Sequence, residues 1–557
     1  MPTTVPAEPV PSPSRRTASP PPSLVCAASR RIVASTTPTC CATGLSSMTR
    51  PWRGRLRVVR SSPRLPQRTR AEPMAIRAPH SARRIGVGID FGTTNSVAAT
   101  FDGEHVRLAS LETHAEPDPI MPSATYIDRD LHTRTGREAI DRYIADNTGR
   151  KVELTAEVIG KATLAVGYGG EESRDPGATL TQNVYGDATT DVGLEGRLFR
   201  GVKRLLGRKD VRRLVVFDHP FSPVALVTPI LLHIRKTLMD TGVPGVGGKL
   251  PAATIGHPVN FEGRDRFRNQ LGLARLGEAY RYAGVGKAHF CPEPIGAAVS
   301  YLHESPGASG ERLLTVDFGG GTLDFCVLQR RAAHRFDVIA THGVGLGGDH
   351  IDQRLFRELL FPLLGKGERW RRRGQAGEID TLFPFDRYEE LLVNWPVTYL
   401  LNQNRYTTAV QDCIEQGGAA RLKFRRLREL IQQNYGYVVF QAIKDFKAEL
   451  SSRDEAVLDI GEIDVEVRLS RREFECLIGD LLRQVEAAVE ETMRRAALPF
   501  DAIDIVLRTG GSSLIPAVHR ILDERFPGRV VNHDPFTSVA AGLAVADFHE
   551  MRDGGRA

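Results

Sequence analysis

The chain has 557 residues, of which 41% are hydrophobic and 25% are charged, a composition that is ordinary for globular protein and leaves room for roughly two to four domain-sized units. The net charge of +7 arises in the first 83 residues, which hold 14 arginines, no lysine and two acidic residues, so the acidic remainder gives no general case for nucleic-acid binding. No apolar run reaches the roughly 18 residues of a membrane span, and the seven scattered cysteines fit neither a metal site nor a disulfide framework, as expected of a cytoplasmic protein.

The N-terminal segment, residues 1–83, is rich in Pro, Ser, Thr, Ala and Arg and has no hydrophobic periodicity. It is therefore predicted to be a disordered tail. Three interpretations stay open: an organelle transit peptide, a basic arm for an acidic partner, or a mis-set start with Met48 or Met74 as the true first residue. The mis-set start is favoured, with residues 1–73 not translated, because the proline content forms no amphipathic helix.

Residues 85–97 form the first candidate hairpin. An apolar strand ends at Asp90, the turn Gly92-Thr93-Thr94 follows, and a second strand begins near Asn95. Further along the chain we expect, in order, a strand over 120–127, an inserted loop region within 146–197, a basic helix over 200–208 that carries Lys203, a helix that begins at Ser222-Pro223, and a buried strand over 252–259.

A second hairpin with the same design runs from Asp317 to Asp324, and the Asp-Phe-Gly sequence recurs in it 227 positions after the first. Gly319, Gly320 and Gly321 free the backbone of steric restriction, and their N–H groups can converge on an anion. Because carboxylates beside a phosphate repel it unless a cation lies between them, this loop predicts a nucleotide polyphosphate with Mg²⁺. The simpler alternative is a glycine-rich hairpin with charged ends.

Three further segments add candidate positions. Glu293 precedes a proline at the start of a predicted helix, and a tight turn over 343–349 precedes another. The loop over 507–516 closes a strand and opens a helix, a geometry that lets backbone approach a ligand. Residues 360–440 are predicted to be mostly helical, and a long helix is expected from Arg471 to about residue 495.

Four motifs come in fixed order: residues 90–96, 293–298, 317–324 and 509–516. Together they resemble the nucleotide-binding domain of the 70-kDa heat-shock (Hsp70, DnaK-type) chaperones in the actin/sugar-kinase ATPase superfamily, and Lys203 to Arg208 is similar to that family's catalytic-lysine segment. The resemblance covers about residues 85–548. It is closest to the YegD-like proteins, chaperone relatives that lack the peptide-binding half.

The resemblance implies an α/β, actin-like (ribonuclease H-like, duplicated) ATPase fold. Residues 84–305 would form lobe I and residues 306–548 lobe II, with a helical subdomain at about 350–450 and no C-terminal peptide-binding domain. The lobes would enclose a cleft for ATP or ADP with Mg²⁺, and K⁺ is a further candidate cation.

The resemblance also implies residue roles. Catalytic roles would fall to Lys203, Glu293, Asp317 and Thr322. Metal binding would fall to Asp90, Asp317 and Asp324. Nucleotide binding would fall to Gly92, Thr93, Thr94, Asn95, Gly319, Gly320, Gly321, Gly347, Gly348, Asp349, Lys447, Gly510, Gly511 and Ser512.

The base side of the implied site departs from the family pattern. Lys444 and Ala448 stand where the family has a Glu and an Arg that clamp the adenosine, whereas Lys447 keeps the expected type. Leu514 replaces the arginine that stacks on adenine, and Phe536 lies where an acid is usual. These differences predict weaker or less selective adenine binding.

The leading functional hypothesis is an Hsp70-like switch that hydrolyses ATP slowly and is read by a protein partner or co-chaperone, which the sequence does not identify. A small-molecule (sugar-type) kinase and an actin-like filament protein are the alternatives. The kinase lacks a second-substrate signature, and the inserted 146–197 region argues weakly against filaments. Nucleic-acid and membrane partners are not expected.

Overall fold

The computed structural model describes residues 84–551, with gaps at 114–116, 150–153, 156–157, 166–178, 186–189, 192–193, 244–247, 264, 306, 332–334 and 375–376. The predictions for the tail, residues 1–83, lie outside the described residues. Within the described ranges, no helix has both the length and the apolar content needed to cross a bilayer.

In the first part of the chain, residues 84–305, the described residues form short strands and four α-helices. Its elements are β1 Gly86–Phe91, β2 Asn95–Phe101, β3 Val106–Leu108, β4 Met121–Pro122, β5 Ala124–Asp128, β6 Thr133–Thr135, α1 Gly136–Asn147, β7 Leu154–Thr155, β8 Val158–Ala165, β9 Thr179–Tyr185, β10 Thr190–Asp191, β11 Gly196–Arg200, β12 Leu214–Val216, β13 His219–Phe221, α2 Pro223–Asp240, β14 Leu250–His257, α3 Arg268–Tyr282, β15 Val285–Pro292 and α4 Glu293–Glu304.

The second part, residues 307–551, contains more helix. Its elements are β16 Arg312–Phe318, β17 Leu323–Arg330, β18 Phe336–Val344, α5 Gly348–Leu355, β19 Arg369–Gly374, β20 Gly377–Leu382, α6 Asp386–Val393, α7 Asn404–Gln416, α8 Arg421–Gln432, α9 Gly436–Ser452, β21 Glu455–Ile460, β22 Val465–Ser470, α10 Arg471–Leu477, α11 Gly479–Ala496, β23 Ile505–Thr509, α12 Pro516–Arg525, β24 Val530–Asn532 and α13 Ser538–Phe548.

Two sheets share one strand order. The first runs β15-β14-β1-β2-β3, with β4 beside β2. The second, written from the corresponding edge, runs β24-β23-β16-β17-β18. In each sheet the central strand pairs antiparallel with the next strand in sequence and parallel with a later one. Asp90 and Asp317 therefore occupy the same place, the penultimate residue of the central strand.

Helices α4 and α13 pack between the two sheets. Their buried side chains join a core cluster that also contains Val97 of the first sheet and Leu313 of the second. The helices approach so closely that a Cβ atom built at Gly542 would lie 1.8 Å from the carbonyl oxygen of Gly296. Only a residue without a side chain fits this crossing.

Several predicted elements are confirmed. Helix α2 begins as expected: the Ser222 hydroxyl accepts a hydrogen bond from the Ala225 N–H at 3.2 Å, and Pro223 occupies the first position. The hairpins at Asp90 and Asp317 and the helix from Glu293 also form.

Four predictions were wrong in detail. The region 146–197 is not simply a loop, because β8 and β9 pair antiparallel within it. The segment 200–208 contains only a short 3-10 turn, Val202–Leu205, which follows Gly201 at a φ of 67°. The expected helical stretch 360–440 includes the β19–β20 hairpin, and the helix from Arg471 is divided into α10 and α11.

The α4–α13 crossing yields a first prediction. We expect Gly542→Ala to lower the free energy of unfolding by about 1–3 kcal/mol, because the added methyl group forces the two helices apart. Gly277→Ala in α3 is the matched control, since its Cβ atom meets nothing closer than 3.5 Å. Chemical denaturation of both variants measures the difference, and an equal effect of the two substitutions would contradict the role of the crossing.

Candidate functional site

The turns of the two hairpins face each other. A Cβ atom built at Gly320 would lie 2.2 Å from Thr94 Oγ1, and one built at Gly321 would lie 3.0 Å from Thr93 Oγ1. The hydroxyl-bearing turn after β1 therefore lies directly against the glycine turn after β16. The sequence argument required this juxtaposition.

A cavity of about 380 Å³ lies between these turns. It is lined by the predicted residues Asp90, Gly92, Thr93, Thr94, Asn95, Lys203, Glu293, Asp317, Gly319, Gly320, Gly321, Thr322, Gly348, Asp349, Lys447, Gly510, Gly511 and Ser512. Two predicted residues, Asp324 and Gly347, are not part of the lining. Asp324 is only 1% exposed, and Gly347 packs behind the turn, where its Cβ would meet the Gly320 carbonyl oxygen at 2.2 Å.

Backbone hydrogen bonds hold the second turn in place. The N–H groups of Gly348 and Asp349 donate to the carbonyl oxygens of Gly319 and Gly320 at 3.0 and 2.9 Å. The Ser512 hydroxyl donates to the Gly319 oxygen at 2.9 Å. The first turn of α5 and the segment before α12 thus converge on the glycine turn, which explains why three distant sequence motifs line one cavity.

A buried ion pair lies in the cavity wall. Lys203 Nζ donates to Glu293 Oε1, and the two residues are only 4% and 8% exposed. Burial alone would lower the pKa of Lys203, but attraction from Glu293, Asp90 and Asp317 outweighs burial and raises it. The lysine is therefore held as a cation at the entrance to α4.

Three carboxyl groups close to this pair are poorly compensated. Burial raises the pKa of Asp90 to about 7, with repulsion from Glu293 adding to the effect and Lys203 opposing it. Burial and Glu293 likewise raise the pKa of Asp324 to about 7 and hold the pKa of Asp317 well above its usual range. One oxygen each of Asp90 and Asp324 is buried without a hydrogen-bond partner.

These groups fit a hard cation. Carboxylate oxygens are the protein ligands that Mg²⁺ prefers, and Mg²⁺ usually binds one or two of them while keeping several waters or phosphate oxygens. Within the part of the chain that the structure describes, no group of three or more His, Cys, Asp or Glu is arranged to hold an ion by itself. The assignment of Asp90, Asp317 and Asp324 to a metal stays a prediction, one in which phosphate and water complete the shell.

The wall on the side of α5 and α9 is polar. Burial alone would raise the pKa of Asp349, but Lys444, Arg204 and Lys447 outweigh it and hold the pKa below its ordinary value. Lys444 Nζ lies 3.6 Å from Asp349 Oδ1, and Lys447 Nζ lies 2.6 Å from Asp352 Oδ1.

Sequence reasoning missed some of the lining. Arg204 Nε donates to Glu262 Oε2 at 2.5 Å, and both residues line the cavity. Asp352 stands one helical turn after Asp349, a spacing that indicates a shared face of α5. Nothing local in the sequence marks Glu262, whose role depends on a tertiary contact with Arg204.

The opposite end of the cavity is apolar. Leu514 and Phe536 are 40% and 41% exposed, and both line the cavity with Ala448. Three of the four residues that depart from the family pattern thus line this cavity as apolar groups, whereas the fourth, Lys444, lies in the polar wall beside Asp349.

Comparison with known proteins identifies relatives. A family model described as Hsp70 protein matches residues 437–548. Over 483 residues the chain is 26% identical to a chaperone protein HscA homolog from Chromobacterium violaceum. The aligned region covers 85% of this chain and 60% of that protein. Over 463 residues it is 26% identical to heat shock 70 kDa protein 7, chloroplastic, from Arabidopsis thaliana, and this alignment covers 82% of this chain and 51% of that protein.

A third relative is chaperone protein DnaK from Thermus thermophilus, which is 25% identical over 484 residues and covers 84% of this chain and 62% of that protein. The chain thus spans about half to three-fifths of the length of these relatives. The predicted similarity to the Hsp70 family is confirmed, whereas the YegD-like subgroup stays a prediction. In sequence, the chain is Hsp70-like.

The contact between the turns yields a second prediction. We expect Gly320→Ala to destabilise the protein by about 1–3 kcal/mol because its methyl group collides with the Thr94 hydroxyl. In a Thr94→Ala background the same change should cost at least about 1 kcal/mol less, since contacting residues couple. Gly319→Ala is the matched control, because its Cβ atom meets only the Thr322 oxygen at 3.8 Å.

Thermal and chemical unfolding of the four proteins in this cycle measures the coupling. Strict additivity of Gly320→Ala and Thr94→Ala would show that the two turns do not touch in solution.

Proposed function

We propose that the chain is an Hsp70 family ATPase of the YegD-like type, which binds ATP with Mg²⁺ between the two hairpin turns and hydrolyses it slowly to ADP and phosphate. The observation that carries the proposal is that the two turns touch and border one cavity. Lys203 and the buried carboxyl groups of Asp90 and Asp317 line the same cavity. The identical strand order of the two sheets supports an actin-like fold with duplicated lobes.

The phosphate end of the nucleotide would lie between the turns. Backbone N–H groups of Gly320 and Gly321 and the hydroxyls of Thr93 and Thr94 would donate to phosphate oxygens. The Gly319 N–H instead closes the hairpin, because it donates to the Thr322 carbonyl oxygen at 3.0 Å. A bound Mg²⁺ would supply positive charge between the phosphates and the carboxyl groups. Glycine is needed in this turn because the facing threonine leaves no space for a side chain.

Hydrolysis would need positioning and charge rather than a covalent intermediate. Lys203 would direct its ammonium group at the γ-phosphate, where negative charge accumulates in the transition state. Glu293 fixes that ammonium group through their hydrogen bond. Glu293 is the first residue of α4, so a change at the phosphate end would reach the α4–α13 crossing between the sheets and provide a conformational switch.

The base end supports weaker discrimination. Leu514 and Ala448 offer apolar surface without donors or acceptors, and Phe536 offers a ring. A planar base of either purine type can pack on such groups, and no hydrogen bond from them selects adenine.

The relatives are named chaperones, and we propose that this chain likewise reports its nucleotide state to a protein partner in the cytoplasm. The chemistry of the cavity does not specify that partner.

The hydrolysis proposal yields a third prediction. We expect Lys203→Ala in the full chain to lower the rate of ATP hydrolysis by about 100-fold, because a charge directed at the transition state is lost. Asp317→Asn should raise the Mg²⁺ concentration for half-maximal activity by about 10- to 100-fold. Phosphate release under single-turnover conditions measures both effects.

Lys209→Ala is the control, since the Lys209 side chain is 72% exposed and lies outside the cavity lining. If the Lys203→Ala variant is folded, as judged by circular dichroism, and hydrolyses ATP at the wild-type rate, the proposed role of the lysine is contradicted.

The base end yields a fourth prediction. We expect the dissociation constants for ATP and GTP to differ by less than about tenfold, because the apolar residues at this end give neither base a specific hydrogen bond. Leu514→Arg should restore a stacking cation and strengthen nucleotide binding severalfold. Calorimetric titration compares the two nucleotides, and a preference for ATP of several orders of magnitude in the wild type would refute the prediction.

A further inference from the structure

A second cavity, of about 560 Å³, adjoins the candidate nucleotide site. The two cavities share a wall made by Thr93 and Thr94 on one side and by Asp349 and Lys444 on the other. The volume is in the range of small-molecule sites, about 300–1,000 Å³. The roles proposed above leave the space beyond this shared wall unused.

One guanidinium group in this cavity forms no ion pair within the described part of the chain, although its charge helps to lower the pKa of Asp349. Arg200, the last residue of β11, lines this cavity but not the nucleotide cavity. Its Nη1 donates to Tyr437 Oη at 3.3 Å, and among the described residues no carboxylate forms an ion pair with it. The neighbouring Arg204, by contrast, binds Glu262 and Asp349. Arg200 is therefore a cation of this lining that can still receive an anion.

Aromatic side chains form the facing wall. The ring of Trp395 lies 5.0 Å from that of Tyr437, in an edge-to-face arrangement. Tyr437 is 3% exposed, while Trp395 keeps part of its surface open, and Phe199 and Phe440 also line the cavity. The rest of the lining includes the acidic residues Glu262, Asp349, Asp352 and Glu390. Rings held in this way offer flat apolar surface on which a planar ligand can pack.

We propose that this cavity binds a small planar monoanion, with its carboxylate or phosphate on Arg200 and its ring against Trp395. The ligand would contact β11 from the first part of the chain and α9 from the second, beside the wall shared with the nucleotide. The inference rests on the proposed function only for this neighbourhood, because Arg200 and Trp395, which would bind the ligand, do not line the nucleotide cavity.

Naphthoate, a planar carboxylate, is a suitable probe, and naphthamide is its neutral isostere. We expect the full-length wild-type protein to bind naphthoate with a dissociation constant of about 1 mM, the value that typical ligand efficiency gives for a molecule of this size. Arg200→Gln should weaken binding by about tenfold or more, the usual effect of losing a charge-assisted hydrogen bond. Naphthamide should bind the wild type about tenfold more weakly for the same reason.

Arg213→Gln is the matched control, because Arg213 is exposed and lines neither cavity, so this variant should bind naphthoate as the wild type does. Ligand-observed NMR gives the affinities, and ADP titration in the same samples reports the nucleotide site. The proposal is overturned if naphthoate does not bind the wild type, if naphthamide binds equally well, or if Arg200→Gln and Arg213→Gln behave alike. If ADP does not bind but naphthoate binds the wild type and Arg200→Gln weakens that binding, the result counts against the nucleotide proposal alone.

Discussion

The close contact between the two hairpin turns is the constraint on which the rest of the structure depends. Thr94 lies where a side chain at residue 320 would have to be, so the turn requires glycine at that position. This contact brings the ends of two central strands together. With them come Asp90 and Asp317, which would otherwise be unrelated acidic residues on separate sheets.

Once the strand ends meet, the negative charge of the buried carboxyl groups becomes the main energetic cost. Buried carboxyl groups face a single lysine, and their raised pKa values express the cost of holding them ionised without a further cation. A divalent cation and a polyphosphate relieve this cost jointly, because each compensates the charge of the other. The same argument explains why Lys203 is retained by Glu293 in a site that is already acidic.

Much of this site could be predicted from local sequence. The turns at Asp90 and Asp317 are visible because glycines and hydroxyl residues interrupt apolar strands. Glu262 could not be found, since its pairing with Arg204 exists only in the folded chain. Gly201, with its positive φ, limits the segment around Lys203 to a single 3-10 turn, although its basic composition suggested a helix. Strands β8 and β9 lie in a region whose Gly and Thr content concealed them.

The most direct test is a crystal structure of the full chain with ADP and Mg²⁺. The account predicts that the phosphates contact both turns, residues 92–95 and 319–322, with the ion between them and the carboxyl groups of Asp90 and Asp317. A nucleotide that contacts only one turn, or that binds elsewhere on the molecule, would contradict it.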